Sequence, residues 1–201
     1  MPAHPDVTTK PELFIGMLSG TSRDGADIAL LSFEDDQPAL EHALCLPYPD
    51  ALASRLRELI DHGKRPEPGQ LDALHRDLGE FFASCVTRLL EDAGIQASQI
   101  SAIGSHGQTV WHDPPESIQL GDPNVIASTT GITTVADLRR ADLEAGGEGA
   151  PLAPLLHRAM FRPESGCRAV LNLGGIANLT ILDSRGGVTG FDTVPGNCLM
   201  D

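Results

Sequence analysis

The chain has 201 residues, 41% of them hydrophobic, enough for one sizeable core or for one domain and part of another. It carries 28 acidic against 14 basic residues, a formal charge of −14. That balance argues against non-specific binding to nucleic acid or an anionic membrane, which depends on clustered Lys and Arg, and no run reaches the roughly 20 apolar residues of a membrane span.

Residues 1–12 have neither the basic start nor the apolar centre of a signal peptide and read as a frayed tail. Cys45, Cys85, Cys167 and Cys198 are irregularly spaced with no CxxC pair. They read as reduced thiols of a cytosolic protein, neither a zinc site nor a disulfide framework. "ELFIGML" and "DIALLSF" are strand-length apolar runs that form a hairpin, and "ALEHALCL" adds a third strand. Asp50 to Asp61 is helical, with Leu52, Leu56, Leu59 and Ile60 on one side. A second helix follows from Leu71, Leu74, Leu78, Phe81, Phe82, Cys85 and Leu89, which recur at steps of three or four.

"ISAIGSHGQTV" reads as a buried strand ending in a polar loop, followed by a strand at "ESIQL" and a helix capped by Asp122. "GITTVAD" is a further strand, and the chain is then polar and glycine-rich as far as Pro151. A helix at "PLAPLLHRAMF" and strands at "RAVLNLGG" and "NLTILD" complete the pattern, with a turn at "SRGG". Strands lead each half and helices follow, which predicts an α/β protein with a mixed sheet. The predicted units are 1–12 as tail, 13–139 as a first domain and 140–201 as the start of a second. Leu199 and Met200 look like the beginning of a helix.

Five segments carry candidate chemistry. "GTSRDGAD", residues 20–27, is neither a P-loop nor GxGxxG, yet a tight turn exposing N–H groups and hydroxyls suits phosphate oxygens. An ordinary Asp-Gly hairpin is the competing interpretation. "GSHGQT" places polar groups at a strand end, where α/β sheets bind ligands; His106 and His112 lack a third partner for zinc. In "ADLRRADLEAGGEGAPLAP", Arg139 and Arg140 suit a substrate carboxylate, or else pair with Asp137 and Asp142 on the surface. "NLGGIANLT" fits a second phosphate-facing hairpin or a plain sheet turn. In "GFDTVPGN", Asp192 is a carboxylate able to accept a proton, or a turn former.

Together "GMLSGTSRDGAD", "IGSHGQTVWHDP", "QLGDPNVIA", "VADLRRADLEAGGEGAPLAP", "VLNLGGIANLT" and "GFDTVPGN" closely resemble the anhydro-N-acetylmuramic acid kinases of the sugar kinase/actin-like ATPase superfamily, in the same order. The resemblance implies an actin-like ATPase (ribonuclease H-like) fold. It implies a cytoplasmic enzyme of peptidoglycan recycling that turns 1,6-anhydro-N-acetylmuramic acid, ATP and water into N-acetylmuramic acid 6-phosphate and ADP, and it suggests a homodimer. Carried over, Gly20, Thr21, Ser22, Arg23, Asp24, Gly25, Ala26 and Asp27 form the ATP-phosphate loop, and Asp192 is the catalytic aspartate. Mg²⁺ arrives with ATP, near Asp24 and with no direct protein ligand. His106, Gln108, Arg139, Glu148 and Asn197 fall on the sugar side. Arg23, Glu148 and Val194 depart from the residues usual in the family. Members of the family run well beyond 201 residues, so the chain is expected to be a truncated kinase, feeble by itself. The rivals are a non-catalytic fragment that keeps the fold and a kinase for another sugar.

Overall fold

The computed structural model describes residues 11–20, 25–34 and 37–196, without the side chain of residue 68. Strands β1 (Glu12–Ser19), β2 (Gly25–Glu34) and β3 (Gln37–Pro47) form an antiparallel meander. Glu12 already pairs with Phe33, so the first strand begins inside the segment predicted as tail. Strand β4 (Ile100–Asp113) joins β1 in parallel, with β5 (Glu116–Leu120) antiparallel and the short β6 (Thr134–Val135) parallel to it. The sheet order is β3-β2-β1-β4-β5, with β6 also on β4. This mixed sheet is the one the composition and resemblance led us to expect.

One face of the sheet carries the core. Ile15 and Met17 of β1, Ala26, Ile28 and Leu30 of β2, and Ile103 of β4 are buried there. They pack with helices α1 (Asp50–Asp61), α2 (Asp72–Ala93) and α3 (Pro123–Thr130). In α2 the apolar stripe Leu74, Leu78, Phe82, Val86 and Leu89 is almost wholly removed from water. Each such side chain contributes about 1.5–3 kcal/mol of burial, so this face decides why the segment is helical. The helix stops at Gly94, which adopts the left-handed cap conformation, and the next amide, Ile95 N–H, donates to Leu90 O. Helix α3 starts as expected, with the Asp122 carboxylate accepting from Asn124 N–H at 2.8 Å. Cys85 sits in this core and burial pushes its thiol up to about 12, so it is an inert structural cysteine.

Beyond the short helix α4 (Arg140–Glu144) and α5 (Ala153–Phe161), strands β7 (Cys167–Leu173), β8 (Ile176–Asp183) and β9 (Val188–Pro195) form a separate antiparallel sheet. α5 packs on β8 and β9, and Pro154, Ala177, Thr180 and Leu182 are buried in this second unit. Leu171, Leu173, Phe191 and Val194 remain exposed, Leu173 at 68%. The region predicted to be loop thus contains α4, and "GITTVAD" keeps only two residues of strand. No described helix is long and apolar enough to cross a membrane.

Candidate active site

The β1–β2 hairpin fixes the first part of the site. Leu18 pairs with Asp27, β1 ends at Ser19 and β2 opens at Gly25. Gly25 of the Asp-Gly pair belongs to β2, and the turn that precedes it lies outside the described residues. A Cβ on Gly25 would stand 2.2 Å from Leu46 O of β3, so only glycine permits β3 to lie this close to the hairpin's base. Asp27 is exposed on the face of the sheet opposite the core, where it lines an open cavity of about 670 Å³ with Leu18, Gly104 and Leu138. Thr21, Ser22, Arg23, Asp24 and Asn197 lie outside the described residues.

A bulge in β4 separates two residues that the sequence grouped. Met17 pairs with Ser105 but Ser19 pairs with Gln108, so β4 has one extra residue in the interval. Gly107 occupies it at φ 72°, and a Cβ there would lie 2.5 Å from Leu120 O. An extra residue reverses the alternation of side chains beyond it. Gln108 consequently turns to the core side under the hairpin, 2% exposed, while His106 is only partly covered. The Gln108 amide donates to Thr109 O at 3.1 Å and Gly20 O at 3.4 Å, and its Oε1 accepts from Ser19 Oγ at 2.7 Å. Ser19 Oγ is also 2.7 Å from Gly25 O. The side chain that the resemblance put on the sugar is thus fully occupied in tying the two ends of the hairpin to β4.

His106 faces the second part of the site. Arg139 Nε and Nη2 approach His106 Nε2 at 3.1 and 2.8 Å, and Arg139 Nη1 donates to Gly149 O. Arg140 instead pairs with Asp137 at the surface, so the two adjacent arginines part, one to His106 and Gly149 and the other to the surface pair. Asp142 was read only as a surface partner, yet its Oδ2 accepts Gly149 N–H at 2.7 Å and so shapes the loop whose carbonyl receives Arg139. Burial lowers the Arg139 guanidinium from its ordinary range, and the charge of Asp192 opposes that shift. Burial lowers His112 as well, with Arg139 adding to the effect and Asp192, Asp113 and Glu148 opposing it. Arg139, His112 and Asp192 are thus coupled through their charges, and Glu148 acts on His112 in the same way. His112 was not singled out for this role, because nothing in its sequence neighbourhood points across to β9.

Asp192 lies within β9, opposite Asn178, and not in a turn. Ala177 pairs with Val194, so Thr193 is the extra residue of a second bulge, pinned by its Oγ1 donating to Ala177 O at 3.0 Å. Bulges of this kind re-aim a neighbouring side chain. Val194 is an ordinary exposed strand residue there, compatible with β structure. Among the described residues no cluster of three or more His, Cys, Asp and Glu could hold a metal ion.

Residues 12–201 match the family model described as anhydro-N-acetylmuramic acid kinase. The chain belongs to the anhydro-N-acetylmuramic acid kinase family. It is 47% identical over 194 residues to the anhydro-N-acetylmuramic acid kinase of Vibrio cholerae, covering 94% of this chain and 52% of that one. It is 44% identical to the Haemophilus influenzae kinase over 199 residues, covering 97% of this chain and again 52% of the relative. The chain therefore spans about half the length of the curated kinases it matches. Among solved structures, an Aquifex aeolicus Ppx/GppA family protein superposes with TM-score 0.47 at 10% identity, over 95% of this chain and 54% of that one.

Proposed function

We propose that this chain supplies the phosphate hairpin and catalytic aspartate of a cytoplasmic kinase acting in peptidoglycan recycling. Its substrates are ATP and 1,6-anhydro-N-acetylmuramic acid. The observation that carries the proposal is the chain of contacts by which Arg139 meets His106 of β4 and Gln108, two residues on, ties β4 to the base of the hairpin, with the charge of Asp192 acting on that same Arg139. Arg139 has five N–H donors, three of them engaged with His106 and Gly149, which leaves two for the lactyl carboxylate of the sugar. Water reaches the anomeric carbon as its proton passes to Asp192, and the C1–O6 bridge breaks. O6 takes the γ-phosphoryl group, the bond to the β,γ-bridging oxygen breaks, and ADP leaves. Mg²⁺, carried by ATP, would neutralise charge on the terminal phosphates. Asp27, an exposed oxygen donor at the foot of the hairpin, fits that ion through its waters.

One observation favours slow catalysis by these 201 residues alone. Leu171, Leu173, Phe191 and Val194 expose apolar surface on the sheet that carries Asp192, so that strand is less firmly held than β1 or β4. Weakly held machinery loses rate through misplacement of the base. The test is a panel of anhydro and ordinary amino sugars with MgATP, read as sugar phosphate by mass spectrometry. The expected result is slow formation of N-acetylmuramic acid 6-phosphate from the anhydro sugar alone. Phosphorylation of a different sugar in preference, or ADP release with every sugar unchanged, would overturn the proposal.

A further inference from the structure

Arg139 is always a donor, so His106 Nε2 must be the acceptor and must carry no proton. The other ring nitrogen, Nδ1, lies 3.0 Å from Gly107 O, a carbonyl that accepts only. One tautomer satisfies both contacts: neutral imidazole with its proton on Nδ1. Protonating Nε2 would set N–H against N–H, and a positive ring against a guanidinium. The bulge at Gly107 makes the arrangement possible, since it supplies the carbonyl and keeps His106 on the opposite side from Gln108.

We infer that His106 is a positioning residue for the sugar site, its Nδ1–H tautomer serving as the anchor that holds the Arg139 guanidinium in place. The inference rests on the proposed function for the part that concerns the sugar. Burial holds the imidazole below its ordinary pKa, with the Arg139 charge acting in the same direction and the Gly107 hydrogen bond against it. At neutral pH the anchor is therefore in place, and it fails as pH falls through that lowered value. The charged and titratable groups around the pair are Asp192 on β9, His112 further along β4 and Glu148 in the loop after α4. Asp137, paired with Arg140, and His75 of α2 line the cavity of about 350 Å³ on which His106 also borders. Only His112 among these is a second imidazole close to Arg139, so it has to be separated from His106 by experiment.

The first measurement is the imidazole ¹⁵N spectrum of the uniformly labelled chain at pH 7. The expected result is a protonated Nδ1 and an unprotonated Nε2 for His106; a protonated Nε2 would overturn the inference. The second is the affinity for 1,6-anhydro-N-acetylmuramic acid between pH 5 and 8. The unaltered chain should lose about tenfold as His106 titrates, the effect of roughly one good charge-assisted hydrogen bond. His106→Gln keeps an acceptor that takes up no proton, and its affinity should be flat over that range. His106→Ala should bind more weakly throughout, and His112→Gln should keep the parental pH dependence. A His106→Gln profile that follows the parent, or a flat profile for His112→Gln, would assign the effect elsewhere and overturn the inference. Arg139→Ala distinguishes the two levels. Undiminished sugar binding in that variant would count against the site's proposed function, while the ¹⁵N spectrum would still decide the tautomer.

Discussion

Asp192→Asn should lower phosphorylation of the anhydro sugar by about 10²–10⁴-fold, the usual worth of a positioned general base, with MgATP affinity unchanged. The amide keeps the size and shape of the carboxylate on β9, so the bulge at Thr193 and its bond to Ala177 O have no reason to move. What disappears is the group proposed to take the water's proton. The exchange also removes a negative charge that acts on Arg139, which a carboxylate-bearing sugar would otherwise meet as a repulsion. Sugar binding should therefore stay equal or tighten while turnover collapses. Single-turnover rates with protein in excess of γ-labelled ATP measure the first quantity, and calorimetry the second. A loss below about tenfold would mean that another group activates the water.

Gln108→Leu should cost about 2–4 kcal/mol in stability, because it strands two carbonyls that accept from the buried amide. At about 2–4 °C per kcal/mol for a chain of this size, the melting temperature should drop by roughly 4–16 °C. Leucine matches the volume closely, so the loss is one of hydrogen bonds and not of packing. The effect should extend to function, since Gly20 and Ser19 start the hairpin proposed to meet the phosphates. MgATP affinity should fall even at temperatures where the variant is fully folded. A variant that melts with the parent, or that binds nucleotide as well when folded, would show that Gln108 does not brace the hairpin.

The parts of the fold that were legible are those whose side chains repeat with a single period. The stripe Leu74, Leu78, Phe82 and Leu89 announces α2, and the alternation of Ile15 with Met17 and of Ile28 with Leu30 announces the hairpin. The polar segments of the site were legible as chemistry but not as geometry. "GSHGQT" reads as a loop because two glycines and four polar residues break any apolar pattern; it is in fact strand, bulged at Gly107. A one-residue insertion changes which face each side chain takes without altering composition, so the opposite directions of His106 and Gln108 could not be foreseen. Pro195 and Gly196 make the stretch after Asp192 read as a turn, whereas the strand continues to Pro195. The parting of Arg139 from Arg140 depends on His106 and Gly149, 33 and 10 residues away from Arg139, and no local pattern encodes it.

A two-ligand titration followed by ¹H–¹⁵N spectra of the labelled chain tests most directly whether hairpin and carboxylate serve one cleft. MgATP should shift amides at Gly20 and Gly25 to Asp27, the anhydro sugar should shift those at Arg139, Gly149 and Asp192, and each ligand should tighten the other. Nucleotide shifts that leave the hairpin untouched, or two ligands that bind without influencing one another, would contradict it.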